Sequence, residues 1–333
     1  MRSHFTSKSR WILGILLMLI SAFAIAADGP YKFIKKIPVG GDGGWDYLTM
    51  DSAARRLYVS HGSKVDVLDA DADKVVGEVS KTPGVHGIAV VPEFNRGFVT
   101  CGQTNEVAIF DLKTMAVVSR VPAGKKPDAI IYDAALKRVI VNNNGGDSST
   151  IINAADGKAS GTIDLGGAPE FAAADGKGKV FINLEDKSET VKIDPISLKV
   201  EARWPLKPCE TPSSMAMDTA NRRLFIGCRN KLMAVVNADT GKVITTMPIG
   251  DHVDATVFEP ATGRIFFSNG DGTVDIFHED SPDRLSVVAR LTTEAGAKTM
   301  ALDPKTHRIF LSTADRDAKT VKPGSFHVLV YGY

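Results

Sequence analysis

Cysteine is scarce here, three residues in 333, and tryptophan is as rare. Three cysteines cannot make the dense bridge framework of a small secreted scaffold, so an apolar core has to carry the fold. Nor does charge of one sign dominate, because 40 Lys and Arg stand against 39 Asp and Glu. With 44% hydrophobic residues this balance excludes a disordered chain, and 30 Gly without a three-residue period exclude collagen. Helical periodicity is missing beyond the N-terminal segment, which removes helical bundles and helical solenoids.

The long apolar run lies at the start. Arg2, Lys8 and Arg10 precede it without an acid, Trp11 to Ile20 is continuously apolar, and Ala24-Ile25-Ala26 follows. This order predicts a secretory signal peptide over residues 1–26, cut near Ala26 or Ala27. Roughly 15 apolar residues fall short of the ~20 that span a bilayer, so no stable membrane span is expected after cleavage. Losing three basic residues leaves 37 Lys and Arg against 39 Asp and Glu, a formal charge of −2. The expected location is periplasmic or secreted, where disulfides persist.

A repeat fills the rest. A basic residue followed by strand formers occurs as Arg56-LYVS, Arg96-GFVT, Arg138-VIVN, Lys179-VFIN, Arg223-LFIG, Arg264-IFFS and Arg308-IFLS. Successive anchors stand 40, 42, 41, 44, 41 and 44 residues apart. A period near forty with strand signals alone is the mark of β-propeller blades. Each copy supports four short strands: an apolar run before the anchor, the anchor strand, an alternating stretch such as Val107-AIFD, and a last one such as Val243-ITTM. Phe33-IKKIPV reads as a fourth strand with nothing before it, and Phe326-HVLVYGY as a third with nothing after. The two ends therefore share one blade. The expectation is an all-β, single seven-bladed propeller of four-stranded blades over residues 31–333, its last blade closed by the N-terminal strand.

Register then nominates a site. Ten residues before the anchors stand Asp46, His86, Asp128, Ser213, Asp254 and Lys298, and the shorter fourth copy puts Glu170 nine before Lys179. These seven are expected to ring the channel mouth. Five residues after the anchors come His61, Cys101, Asn143, Leu184, Cys228, Asn269 and Thr313, which places His61 near Asp46 and His86. Carboxylates with one or two imidazoles suit a divalent cation: Ca²⁺ if oxygen ligands dominate, Zn²⁺, Mn²⁺ or Cu²⁺ if histidines join. Candidate metal ligands are Asp46, Asp128, Glu170, Asp254, His86 and His61, with His86 or His61 as candidate general base. The same ring also fits a hydrated channel, or a polyol or peptide end group.

Cys209 and Cys228 flank the first two strands of the fifth copy and are expected to form a disulfide, leaving Cys101 half-buried and without a base beside it. His278-Glu279-Asp280 falls in the slot of Asp69, Asp111 and Asp194, where a turn cap is expected on the opposite face. Asn269-Gly-Asp-Gly lacks the twelve-residue calcium pattern and reads as a tight turn. The glycines from Gly40 to Gly44 are not followed by a helix or a Lys-Ser/Thr pair, so they form no phosphate loop.

The segments Arg-LYVS, Val-x-Val-Asp, Asp-x-Thr-Gly-Lys-Val and Ile-Pro-Val-Gly resemble the YVTN β-propeller repeat family. Gly43-GWDYL, Gly84-VHGIA and Pro323-GSFHVLVYG are similar to its secreted YncE-like members. The resemblance spans the mature chain, implies the propeller fold and carries over no catalytic residue. Its members include surface-layer proteins and a periplasmic protein that resembles a single-stranded DNA binder. The leading expectation is an exported module that binds a small-molecule ligand or a protein partner at the channel mouth and its loops, as a monomer. The alternative is a lactonase-like metal-dependent hydrolase or lyase. Nucleic-acid binding is a further alternative, which the acidic ring and net negative charge argue against. Few tryptophans leave little material for a quinone-stacking pocket.

Overall fold

In the computed structural model of the chain, Met1, residues 31–318 and residues 320–333 are described. The expected signal peptide lies outside the described residues. The chain forms seven antiparallel sheets of four strands each. Blade 1 shows the plan: strand a Trp45–Asp51, b Arg56–His61, c Lys64–Asp69 and d Lys74–Val79. Blade 7 contains Met300–Asp303, Arg308–Asp317 and Thr320–Gly332, and its outer strand is Lys32–Pro38, paired with Thr320–Gly332 from Lys32 opposite Gly332 to Pro38 opposite His327. The expected closure is present.

The basic anchor has a physical cause. Arg56 lies across the ladder from Asp69, and Nη1 meets Oδ2 at 2.8 Å. Asp69 Oδ1 meanwhile accepts the backbone N–H groups of Asp71 and Ala72, capping the turn into strand d. Lys179 and Asp194 repeat the pair at 2.9 Å. Blade 6 departs from the plan, because its strand c runs on from Thr273 to Ser281. His278 is therefore not a turn cap; it stands within the strand, 2.8 Å from Asp280.

Both faces of strands b and c are buried between blades, which is why they read as apolar runs. Leu57, Val59 and Leu68 pack on Phe310, Val328 and Val330 of blade 7, while Tyr58, Val65 and Val67 pack on Val99, Ala108 and Phe110 of blade 2. Each such fully buried side chain contributes about 1.5–3 kcal/mol. A polar belt joins the sheets nearer the axis. The residue four after the anchor donates to a carbonyl of the next blade's strand a: Thr100 to Asp128 at 2.7 Å, Asn142 to Glu170 at 2.5 Å, Ser268 to Lys298 at 2.6 Å. In blade 5 that position is Gly227, and Ser214 Oγ fills the space and pairs with Thr256 at 2.7 Å.

At the far face, Asp51, Asp133, Asp175, Asp218 and Asp303 end strand a, and each accepts backbone N–H groups of the turn that follows. Neighbouring blades clasp some of them, Arg55 reaching Asp303 at 2.8 Å and Arg222 reaching Asp175 at 3.0 Å. At the mouth face, the blade 7 hairpin continues past the sheet as far as Asp317 and Thr320. Strand formers thus begin at Thr320 rather than at Phe326, where the sequence pattern starts the strand.

Candidate functional site

Six of the seven nominated ring residues sit at the entry of strand a, beside a break in its pairing with strand b, while Lys298 precedes strand a of blade 7, whose ladder is unbroken. In blade 1, Trp45 pairs with His61 and the next pair is Leu48 with Val59, so Asp46 and Tyr47 bulge opposite one residue. Blades 2, 3 and 4 have the same shift around His86, Asp128 and Glu170. A bulge re-aims side chains out of the pleat, here toward the channel.

Three blades meet around one imidazole. His86 Nδ1 lies 2.7 Å from Asp46 Oδ2 and 3.7 Å from Asp128 Oδ1, and the three groups offer ligand-capable atoms within 4.8 Å of one another. Asp128 Oδ1 is buried and accepts no hydrogen bond. The hydrogen bond to Asp46 raises the His86 pKa. Burial, reinforced by the Asp46 charge, pushes the Asp128 carboxyl up to about 7. Burial first, then Asp128 and Glu185, lift Glu170 well above the usual carboxylate range, and burial also raises Asp254. Lys298 offsets part of the last effect by contacting Asp254 directly. Beneath the ring the axis is closed by Tyr47 against Phe171, with ring centroids 5.5 Å apart, leaving only about 50 Å³ of space there.

Two nominated residues stand elsewhere. His61 is buried, holds Asp66 at 2.8 Å and stacks on Phe326 at 4.2 Å, so it approaches neither Asp46 nor His86. The pleat explains this: successive side chains alternate, so if the residue four after the anchor faces the next blade, the fifth faces the preceding one, as His61 does toward Phe326 of blade 7. The other members of that register are buried for the same reason. Ser213 is likewise fully buried, and its hydroxyl donates to Val253 O at 2.5 Å rather than joining the ring. Cys209 and Cys228 are joined, with Cα atoms 5.7 Å apart, and Cys101 is fully buried rather than half-buried.

The position one further along, six after the anchor, holds groups that the register reading passed over. Asn144 donates to Glu185 at 3.2 Å and to Glu170 at 3.4 Å, while Arg229 bridges Glu185 at 3.6 Å and Asp254 at 3.4 Å. Blades 1, 2 and 6 carry Gly62, Gly102 and Gly270 there, which keeps their side of the mouth open. A polar residue or glycine at this offset in six of the seven blades, with Ala314 in the seventh, was the available signal. Trp45 and Arg316 also face the mouth, the guanidinium lying 5.6 Å from the indole ring. Away from the axis, Glu294, Asp315 and His327 form a second three-donor cluster among the described residues. Lys36 already occupies it, 3.0 Å from Glu294 and 3.1 Å from Asp315.

No protein-family model and no curated protein sequence matches the chain. Solved structures do resemble it. Hydrazine synthase of Kuenenia stuttgartiensis superposes with a TM-score of 0.71 at 17% identity, over 87% of this chain and 100% of that one. The WD40 repeats of RRP9 give 0.76 at 6% identity, over 92% and 97%, and U3-55K gives 0.77 at 6%, over 92% and 98%. These likenesses establish the seven-bladed propeller.

Proposed function

We propose that this chain is an exported propeller of the YVTN-repeat type, similar to its secreted YncE-like members, and that it holds a small ligand or partner at the channel mouth. One observation carries the reading. Asp46, His86 and Asp128 converge from three blades onto a surface-open point, while the channel below them is packed shut. The mouth carboxylates raise one another's pKa, and His86 and Lys298 offset this only in part, so their arrangement answers to a ligand rather than to packing. The N-terminal charge and apolar pattern support export, and sequencing the N-terminus of the protein from the periplasmic fraction tests it.

The three-donor geometry favours a second reading, a divalent metal centre. Asp46, His86 and Asp128 would hold the ion, with the unbonded Asp128 Oδ1 as a ready ligand atom. An imidazole in the set suits Zn²⁺, Mn²⁺ or Cu²⁺ better than Ca²⁺. A bound ion there would supply Lewis-acid polarisation of a carbonyl or a more acidic water, as in a metal-dependent hydrolase or lyase. Elemental mass spectrometry of protein purified without chelator, beside Asp128→Asn, separates the readings. Stoichiometric metal that the variant loses selects the metal centre. Metal-free protein whose melting temperature ignores Zn²⁺, Mn²⁺ and Ca²⁺ leaves the binding module alone. Partner capture undiminished by Asp128→Asn with Glu170→Gln would sink the mouth as the binding surface.

A further inference from the structure

The mouth is electrically divided, and its second half has a different chemistry. On the side of blades 6, 7 and 1, a cavity of about 420 Å³ is lined by Gly43, Gly44, Trp45, Gly296, Lys298, Arg316 and Val321. A second of about 560 Å³ adjoins it through Gly296, Lys298 and Arg316, and adds His252. Neither lining contains an acid. The walls combine a half-buried indole and an exposed valine with two permanent cations, so they offer an apolar slot ending in positive charge.

The glycines are part of the construction. Gly296 has φ +87°, and a Cβ there would stand 2.9 Å from Arg316 Nη2, so a side chain would displace the guanidinium. Gly44 has open space where a Cβ would project, which keeps the approach to Trp45 clear. Lys298 touches Asp254, which fixes its ammonium on the cavity wall. The blade 7 hairpin supplies Arg316 and Val321 from its extension beyond the sheet, a segment the propeller ring does not need.

We infer that this cavity binds a small organic carboxylate with a flat apolar body. The carboxylate meets Arg316 and Lys298, and the body lies against Trp45 and Val321. An Arg fork matches a carboxylate bidentately, and an indole face matches a planar ring. The inference deepens the mouth-binding reading and rests on it, since Lys298 of the ring lines the cavity.

Calorimetry and Trp fluorescence with three probes test it: benzoate, acetate, which lacks the body, and benzyl alcohol, which lacks the charge. Benzoate is expected to bind saturably, with acetate and benzyl alcohol each weaker by about tenfold or more. Arg316→Gln should weaken benzoate by about tenfold, and Trp45→Leu should erase its advantage over acetate. Arg316→Lys, which keeps the charge without the fork, should fall between. Arg316 is exposed, so its variants are expected to fold, and circular dichroism confirms that they do. Benzoate binding no tighter than acetate, or unchanged in Arg316→Gln, overturns the inference. A parallel titration with Zn²⁺ on native and Asp128→Asn protein separates the failures. Zn²⁺ bound at Asp128 without benzoate binding defeats the carboxylate pocket alone, whereas the mouth reading falls only if partner capture is undiminished by Asp128→Asn with Glu170→Gln.

Discussion

At the far face Asp51, Asp133, Asp175, Asp218 and Asp303 recur at the end of strand a, while at the mouth Asp46, Asp128, Glu170 and Asp254 recur at its start. The two sets share a residue type and a period, yet their surroundings differ. Each far-face carboxylate meets backbone N–H groups of its own turn, and two also meet an arginine from the next blade. The mouth carboxylates meet side chains from other blades and one another's charge. Repetition alone therefore does not mark function. A carboxylate that satisfies local backbone belongs to the fold, and one held against other carboxylates across a channel requires a further reason.

Three substitutions test this contrast. Asp303 is fully buried, accepts from Lys305 N, Ser52 and Thr306 and pairs with Arg55, so Asp303→Ala should cost about 2–4 kcal/mol in urea denaturation by removing the acceptor of these groups and opening the turn, while Arg55 keeps its pair with Asp71. A loss under about 1 kcal/mol would show that the far face is not structural in this sense. Glu279 is the far-face exception. Burial and the neighbouring Asp218 push its carboxyl up to about 7, and Asp218 Oδ2 and Glu279 Oε1 each lack a donor. A raised carboxyl stabilises the fold fully below its unfolded value and loses that contribution as pH rises through about 7. Stability should decline between pH 5 and 8 by roughly 1 kcal/mol once partial exposure is allowed for, and Glu279→Gln should flatten the decline. An unchanged slope in the variant would assign the pH dependence elsewhere. The smallest effect is expected at the mouth, where Asp128→Asn removes one of several repelling charges. Its midpoint at pH 8 should match or exceed native within about 1 kcal/mol, and a loss like that of Asp303→Ala would erase the distinction between the faces.

The ring, its seven blades and its shared last blade were legible because a forty-residue period survives any local ambiguity. The ring at ten before the anchor was legible for a related reason: six of the seven blades break register there, so a nearly constant offset, nine residues in blade 4 and ten elsewhere, marks the position. His61 was misplaced because the offset says how far along strand b a residue sits and not which face of the pleat it takes. Ser213 was misplaced because blade 5 lacks a polar residue at Gly227, and the hydroxyls of its strand a turn into the inter-blade belt instead. Glu185 and Arg229 lie just past the end of strand b, and Arg316 lies in the extension of blade 7's strand b beyond the repeat, so the anchor register did not assign them a role. Their roles come from long-range charge, which a strand-level reading does not contain.

Closure by Lys32–Pro38 against Thr320–Gly332 also sets a schedule. These paired residues are separated by almost the whole chain, so the last sheet cannot assemble until the residues around Gly332 have been synthesised. Until then blade 7 offers the inward-facing apolar side chains of its hairpin, Phe326, Val328 and Val330, without the strand that covers their edge. The time between synthesis of Gly332 and docking of Lys32–Pro38 is the interval in which proteases and chaperones can reach the open ring.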